Sequence, residues 1–196
     1  MPKIQAATVA EHRAAQHRAL LDAAHALLME RPDQPPTLAA VGARAGLARS
    51  SVYQYFASRD DLLGALVTEV FPRWSATVQQ AMDAAGDPGD RVLAYVRANL
   101  DLVAAGEHAV ARALTEIAPG DALARSSREM HDALLLPLVA ALTDLGTPEP
   151  RVTAELVNGV VLTASRLIEA GHEASDADER ARELLEPFVR SWLPRL

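Results

Sequence analysis

TLAAVGARAGLARSSVYQYFASRDDLL, residues 37–63, reads as a helix, a tight turn, a second short helix and the capped start of a third. Pro35 and Pro36 keep the chain extended up to Thr37, whose hydroxyl suits an N-cap. Leu38, Val41, Ala45 and Leu47 give the first helix and its turn an apolar seam. Gly46 stands where the chain must leave that helix, a place that favours positive φ. The spacing predicts a second helix over 49–55, with Val52 and Phe56 four apart on its inner side. Its outer side carries Arg49, Ser50, Ser51, Tyr53, Gln54 and Tyr55, all able to donate hydrogen bonds. Ser58-x-x-Asp61 is a capping box that opens the next helix.

Two short helices joined by such a turn are a helix-turn-helix, a motif whose second helix enters the major groove of DNA. The string from Ala45 to Leu63, AGL-x4-VYxYFxSRDDLL, resembles the DNA-binding domain of the TetR (tetracycline-repressor-like) family of bacterial transcription regulators. The resemblance covers about the first third of the chain; length and helical pattern alone match the rest. It departs from the family at two positions. Gly42 stands where alanine is usual, which weakens the helix by about 1 kcal/mol, and Ala48 stands where the family often has a Ser or Thr N-cap.

The resemblance implies an all-α chain of about nine helices. A three-helix DNA-binding head would span residues 8–63, and a ligand-binding and dimerisation body 64–196. It further implies a homodimeric cytoplasmic repressor, released from a roughly palindromic double-stranded DNA operator by a small-molecule effector, with no cofactor. Residue chemistry assigns the contacts. Arg49 and Gln54 carry the groups that read guanine and adenine edges. Ser50, Ser51, Tyr53 and Tyr55 suit phosphates. Arg59 resembles the family's backbone-holding basic residue, and Thr37 with the first amides of its helix offers a phosphate site. Two other readings remain open: a helical ligand-binding or scaffold protein with a vestigial head, and a regulator that activates or needs no ligand.

Composition agrees with helix. Of 196 residues, 49% are hydrophobic but only 4% aromatic, and alanine and leucine dominate. The absence of cysteine excludes disulfides and thiolate chemistry. No signal-peptide pattern and no apolar run of about 20 residues appears, so no membrane partner is expected. The net charge of −7 is unevenly spread. Residues 1–60 hold seven basic and five acidic groups, whereas the remaining 136 hold 12 and 21. A basic head on an acidic body still docks phosphates.

Along the chain, residues 1–7 read as an arm and Thr8-x-x-Glu11 as a capping box. His12, Arg13, His17 and Arg18 cluster near the start of the first helix, either on a solvated face or near phosphates. The helix after Ser58 runs to 82–85 with Pro72 as a kink, and Gly86-Asp87-Pro88-Gly89 is a loop. Further helices are predicted over 90–104, 107–117, 121–145 with Pro137 as a kink, 149–170 and 176–192. The segment 149–170 is apolar nearly all round and therefore needs cover on more than one side. A dimer interface is expected at Leu156, Gly159, Val160, Thr163, Leu167, Leu184, Phe188 and Trp192. Trp74, Met82, Tyr95, Asn99, His108, Arg112, Met130 and His131 are the expected lining of a ligand pocket. No glycine-rich phosphate loop, H-E-x-x-H or G-x-S-x-G occurs, and Glu169-x-x-His172 is a single copy broken by Gly171. No catalytic residue and no metal site is expected.

Overall fold

The structure is a computed structural model that describes residues 6–108, 110, 113–114 and 121–193, the side chains of residues 6–8 and 121–132 excepted. Every regular element among the described residues is helical, which makes the fold all-α. Eight helices have defined bounds: α1 (Ala6–Glu30), α2 (Leu38–Arg44), α3 (Arg49–Val52), α4 (Arg59–Asp83), α5 (Pro88–Ala104), α6 (Asp121–Leu145), α7 (Pro150–Glu169) and α8 (Ala174–Trp192). Residues 107, 108, 110, 113 and 114, inside the helix expected over 107–117, are helical too. The expected close of that helix at Ala118-Pro119-Gly120 lies outside the described residues.

Local chemistry explains most boundaries. Thr37 is extended (φ −86°, ψ 151°), and its hydroxyl accepts from the Ala40 amide at 3.1 Å, capping α2. Gly46 leaves α2 with φ +69°. At α4 the Ser58 hydroxyl accepts from the Asp61 amide at 3.1 Å. The Asp61 carboxylate accepts in return from the Ala57 amide at 3.0 Å, one residue earlier than in a standard capping box. Asp87 accepts from the Asp90 amide at 2.8 Å and Pro88 opens α5. The expected 86–89 loop is thus half helix, because proline at the first helical position forfeits no needed N–H.

The start of α1 and the end of α3 also differ from the sequence reading. Helix α1 already includes Ala6, so Thr8 lies inside it rather than capping it, and Ala6 and Ala7 are not part of an arm. Alanine has the highest helix propensity, which favours extending the helix through that pair. The expected 49–55 helix stops at Val52. Beyond it the Gln54 and Tyr55 amides bond carbonyls only three residues back, at 3.1 and 2.9 Å. Pro72, Pro137 and Pro187 all lie within helices, in α4, α6 and α8.

The chain forms two compact units, Met1–Val70 with Ala109–Leu123, and Phe71–His108 with Ala124–Leu196, so α4 contributes to both. In the first unit Leu20, Ala24 and Leu28 of α1, Val41 of α2, Val52, Phe56, and Leu62, Leu63 and Leu66 of α4 are buried. Gly42 has a packing reason. A Cβ there would stand 2.6 Å from Val52 Cγ2 and 3.2 Å from the Leu47 carbonyl oxygen, so α3 and the turn rest on bare α2 backbone. An ion pair of 2.7 Å between Arg44 and Glu30 ties α2 to α1 and holds the Glu30 carboxyl below its usual range.

The second unit packs α5 against both α7 and α8, which also pack on each other. Its core is mostly aliphatic, with Val92, Val96, Leu100, Leu138, Leu142, Ala154 and Val189 among the buried residues. Gly89 at the start of α5 repeats the device of Gly42: a Cβ there would lie 2.5 Å from Val189 Cγ1. No helix among the described residues is long and apolar enough to cross a membrane.

Candidate nucleic-acid interface

The first unit places its polar residues by helical arithmetic. Val52 and Phe56 are buried at 0% and 2% exposure and anchor the inner side of α3 and the turn after it. The opposite side is therefore left to solvent: Arg49, Ser50, Tyr53 and Gln54 are exposed, and Ser51 and Tyr55 are half-buried. Thr37 and Arg59 are exposed at the starts of α2 and α4. All eight residues expected to meet DNA thus belong to this one unit, and six of them lie on α3 or the turn that follows.

Arg49 and Tyr53 are one helical turn apart and interact. The Arg49 Nη2 donates to the Tyr53 hydroxyl at 3.4 Å, and its guanidinium lies 5.9 Å from the ring centroid. The hydrogen bond, more than the coulombic attraction, pushes the Arg49 pKa up. The Arg59 Nε lies 3.8 Å from Asp60 Oδ1, with both side chains at least half exposed, a loose pairing that phosphate would displace at small cost. The cluster near the start of α1 lies beside Tyr55. Arg13, His17, Arg18 and Tyr55 border a groove of about 580 Å3. Arg13 lies 5.5 Å over the Tyr55 ring, and the Tyr55 hydroxyl donates to Gln16 Oε1 at 2.5 Å. Sequence reasoning did not single out Gln16. Its only signal is its place one residue before His17 on a partly buried face.

The second unit brings four of the expected ligand-lining residues together by a different logic. Trp74 Nε1 donates to Asn99 Oδ1 at 2.9 Å, Asn99 Nδ2 donates to the Tyr95 carbonyl at 2.8 Å, and the Tyr95 hydroxyl donates to Asn158 Oδ1 at 3.1 Å. Burial pushes the Tyr95 pKa up, with a further contribution from the Glu155 charge, so the hydroxyl stays protonated and remains a donor. His108 lies beside this chain. Its ring centroid is 6.2 Å from that of Trp74, and its Nδ1 is 2.7 Å from Glu169 Oε1. Met82 is plain core at 2% exposure. Arg112 and the side chains of Met130 and His131 lie outside the described residues. Asn158 and Glu169 were missed, although an asparagine inside an apolar helical stripe is a readable signal. A separate groove of about 270 Å3 is bordered by Ser75, Val78, Gln79, Leu134 and Pro137. None of Trp74, Met82, Tyr95, Asn99 and His108 borders it.

Helices α7 and α8 bury one face each and leave apolar groups on the other. Leu156 is 70% exposed and Leu184 69%, with Val152, Leu162, Leu167 and Trp192 also exposed. Gly159 and Thr163 are exposed and Val160 and Phe188 half-buried, so the eight residues expected at an interface all keep accessible surface.

Comparison with known proteins agrees with this geometry. The family model described as bacterial regulatory proteins, tetR family, matches residues 20–66, which contain α2, α3 and the start of α4. The HTH-type transcriptional repressor LfrR of Mycolicibacterium smegmatis is 35% identical over 85 residues, 43% of this chain and 44% of the repressor. The HTH-type transcriptional regulator BetI of Burkholderia ambifaria is 37% identical over 102 residues, 52% of this chain and 50% of that protein. The chain spans about half the length of the curated relatives it matches. The crystal structure of AibR in complex with isovaleryl coenzyme A and operator DNA superposes with a TM-score of 0.67 at 19% identity, covering 87% of this chain and 98% of AibR. The helix-turn-helix head thus matches the bacterial regulatory proteins of the tetR family in sequence over residues 20–66, and the helical architecture matches that of AibR in fold.

Proposed function

We propose that the protein is a homodimeric transcriptional repressor that binds a roughly palindromic operator and is released from it by a small molecule. The observation that carries this reading is the exposed side of α3 and its turn. There Arg49 and Gln54, which have no packing role, stand at the surface while Val52 and Phe56 bury the reverse side. Arg49 and Gln54 read base edges; Ser50, Ser51, Tyr53, Arg59 and the α2 N-terminus at Thr37 hold the backbone. Tyr55 contributes from the head side.

One such motif reads few base pairs, so useful specificity calls for two. The exposed apolar faces of α7 and α8, centred on Leu156 and Leu184, support a second copy of this chain as the partner. A dimer presents two recognition elements to successive major grooves, roughly 34 Å apart. The second unit is the proposed effector site, with Trp74, Tyr95, Asn99 and His108 the polar groups nearest to hand; AibR, of the same fold, was crystallised with isovaleryl coenzyme A. The effector acts by preferring the state in which the two heads no longer match the operator. The protein works in the cytoplasm and performs no catalysis.

The test is fluorescence anisotropy of the duplex upstream of the protein's own coding region, titrated at two salt concentrations with and without candidate small molecules. Saturable binding that prefers this duplex over an unrelated one, weakens with salt and is reversed by a ligand supports the reading. Equal binding to any duplex, or none from a folded dimer, contradicts it.

A further inference from the structure

The recognition element is too short to fix its own pose. Helix α3 has four residues, its N-cap Ala48 makes no side-chain hydrogen bond, and the amides at Gln54 and Tyr55 reach only three residues back. A single helical turn gains too little from its own hydrogen bonds to stay formed unaided. Something outside α3 must hold Gln54 where it reads a base.

On the inner side, Val52 rests on the bare backbone of Gly42. At the far end the support comes from α1. The Tyr55 hydroxyl, part-buried, donates to Gln16 Oε1 at 2.5 Å. Arg13 lies 5.5 Å over the same ring, and its Nη2 donates to the carbonyl of Gln54 itself at 3.4 Å. The His17 ring lies 6.3 Å from Tyr55 and 5.1 Å from Phe56. Beside Tyr55 the groove bordered by Arg13, His17 and Arg18 is open, so close packing does not fix the ring on that flank. These few polar contacts do.

We propose that Gln16 and Arg13 are positioning residues for sequence readout, holding Tyr55 and the Gln54 carbonyl so that α3 and its turn present one geometry to DNA. This rests on the DNA-binding reading above and adds to it. Gln16 acts through Tyr55, and the Tyr55 hydroxyl serves α1 rather than a phosphate.

The test compares Gln16→Met, Gln16→Glu, Tyr55→Phe and the double variant Gln16→Met/Tyr55→Phe with the wild type. Affinity for the preferred duplex and for an unrelated duplex is measured across salt, and amide exchange of residues 53–56 is followed without DNA. Gln16→Met and Tyr55→Phe are each expected to lower the preference by about fivefold, the effect of one neutral hydrogen bond. Their salt slope stays at the wild-type value, and exchange at 53–56 quickens in the free protein. The double variant should be no worse than either single, because both remove one interaction. Gln16→Glu keeps an acceptor and should retain the preference.

An unchanged preference in Gln16→Met, or additive losses in the double variant, overturns the proposal. So does a Tyr55→Phe protein that loses affinity for both duplexes alike with a shallower salt slope, since that marks a phosphate contact. A wild-type protein with no preference sinks the DNA-binding reading and this proposal together; intact wild-type preference with an indifferent Gln16→Met sinks the proposal alone.

Discussion

The two units keep their polar chemistry in opposite places. In the first, Arg49, Tyr53 and Gln54 stand on the surface of a small element whose other side is buried. In the second, Asn99, Tyr95 and Asn158 are enclosed in an aliphatic core and satisfied by one another. Surface polar groups carry no packing burden, so their type reports what they meet. Enclosed polar groups must first satisfy each other, so they report the stability of the unit as much as any ligand. Removing a residue from the first set should cost binding with little loss of stability. Removing one from the second should cost stability first.

The largest expected effect belongs to the surface. Arg49→Ala/Gln54→Ala should weaken operator affinity by about 4 kcal/mol, roughly a thousandfold, with the unfolding midpoint unchanged. Anisotropy and thermal unfolding read the two quantities, and a fall in midpoint of several degrees would blur the division between the units.

Next comes the enclosed network. Asn99→Leu leaves Trp74 Nε1 without its acceptor in a buried setting and should lower stability by about 3 kcal/mol in urea denaturation. The ratio of operator to unrelated-duplex affinity in the folded variant should stay at the wild-type value. Unchanged stability would show that water replaces the Asn99 contact and that the network holds nothing together.

A smaller effect is expected where the second unit does have surface chemistry. Leu156→Ser should weaken self-association by about 2 kcal/mol, roughly thirtyfold, without loss of helicity, since Leu156 is already exposed in the single chain. Analytical ultracentrifugation measures it, and an unaffected equilibrium would move the interface away from α7.

The smallest concerns the close approaches. Gly42→Ala gains about 1 kcal/mol of helix propensity. It also drives a methyl to within 2.6 Å of the β-branched, buried Val52, an overpacking cost of roughly 2 kcal/mol. The net expectation is a loss of about 1 kcal/mol in stability. A gain would mean that Val52 repacks freely and that α3 does not depend on the glycine.

The same contrast explains what could be read from sequence. The head was legible because its signals are local: Thr37, Gly46 and Ser58 each make or permit the contact that their spacing implies, and Asp61 caps one residue earlier than its spacing implies. Two of its features were not. The end of α3 at Val52 has no glycine or proline to mark it, and the Gln16–Tyr55 bond joins residues 39 apart in sequence, beyond any local pattern. In the second unit the helices were legible to within a few residues, because the 86–89 turn and the aliphatic stripes mark them. The partners were not, since Tyr95 meets Asn158 and His108 meets Glu169 only through tertiary packing. Glu169 was set aside on sequence as half of a chance pair with His172, and its observed partner is His108. Gly42 read as a defect of α2, and the structure gives it a neighbour instead.

On the proposed reading, the exposed side of α3 reads DNA sequence as one half of a symmetric pair. The sharpest test is selection of bound fragments from a random-sequence duplex pool. A two-fold symmetric sequence with half-site centres about 34 Å apart should be enriched. A pool that returns no enriched sequence, or an unpaired half-site, would contradict it.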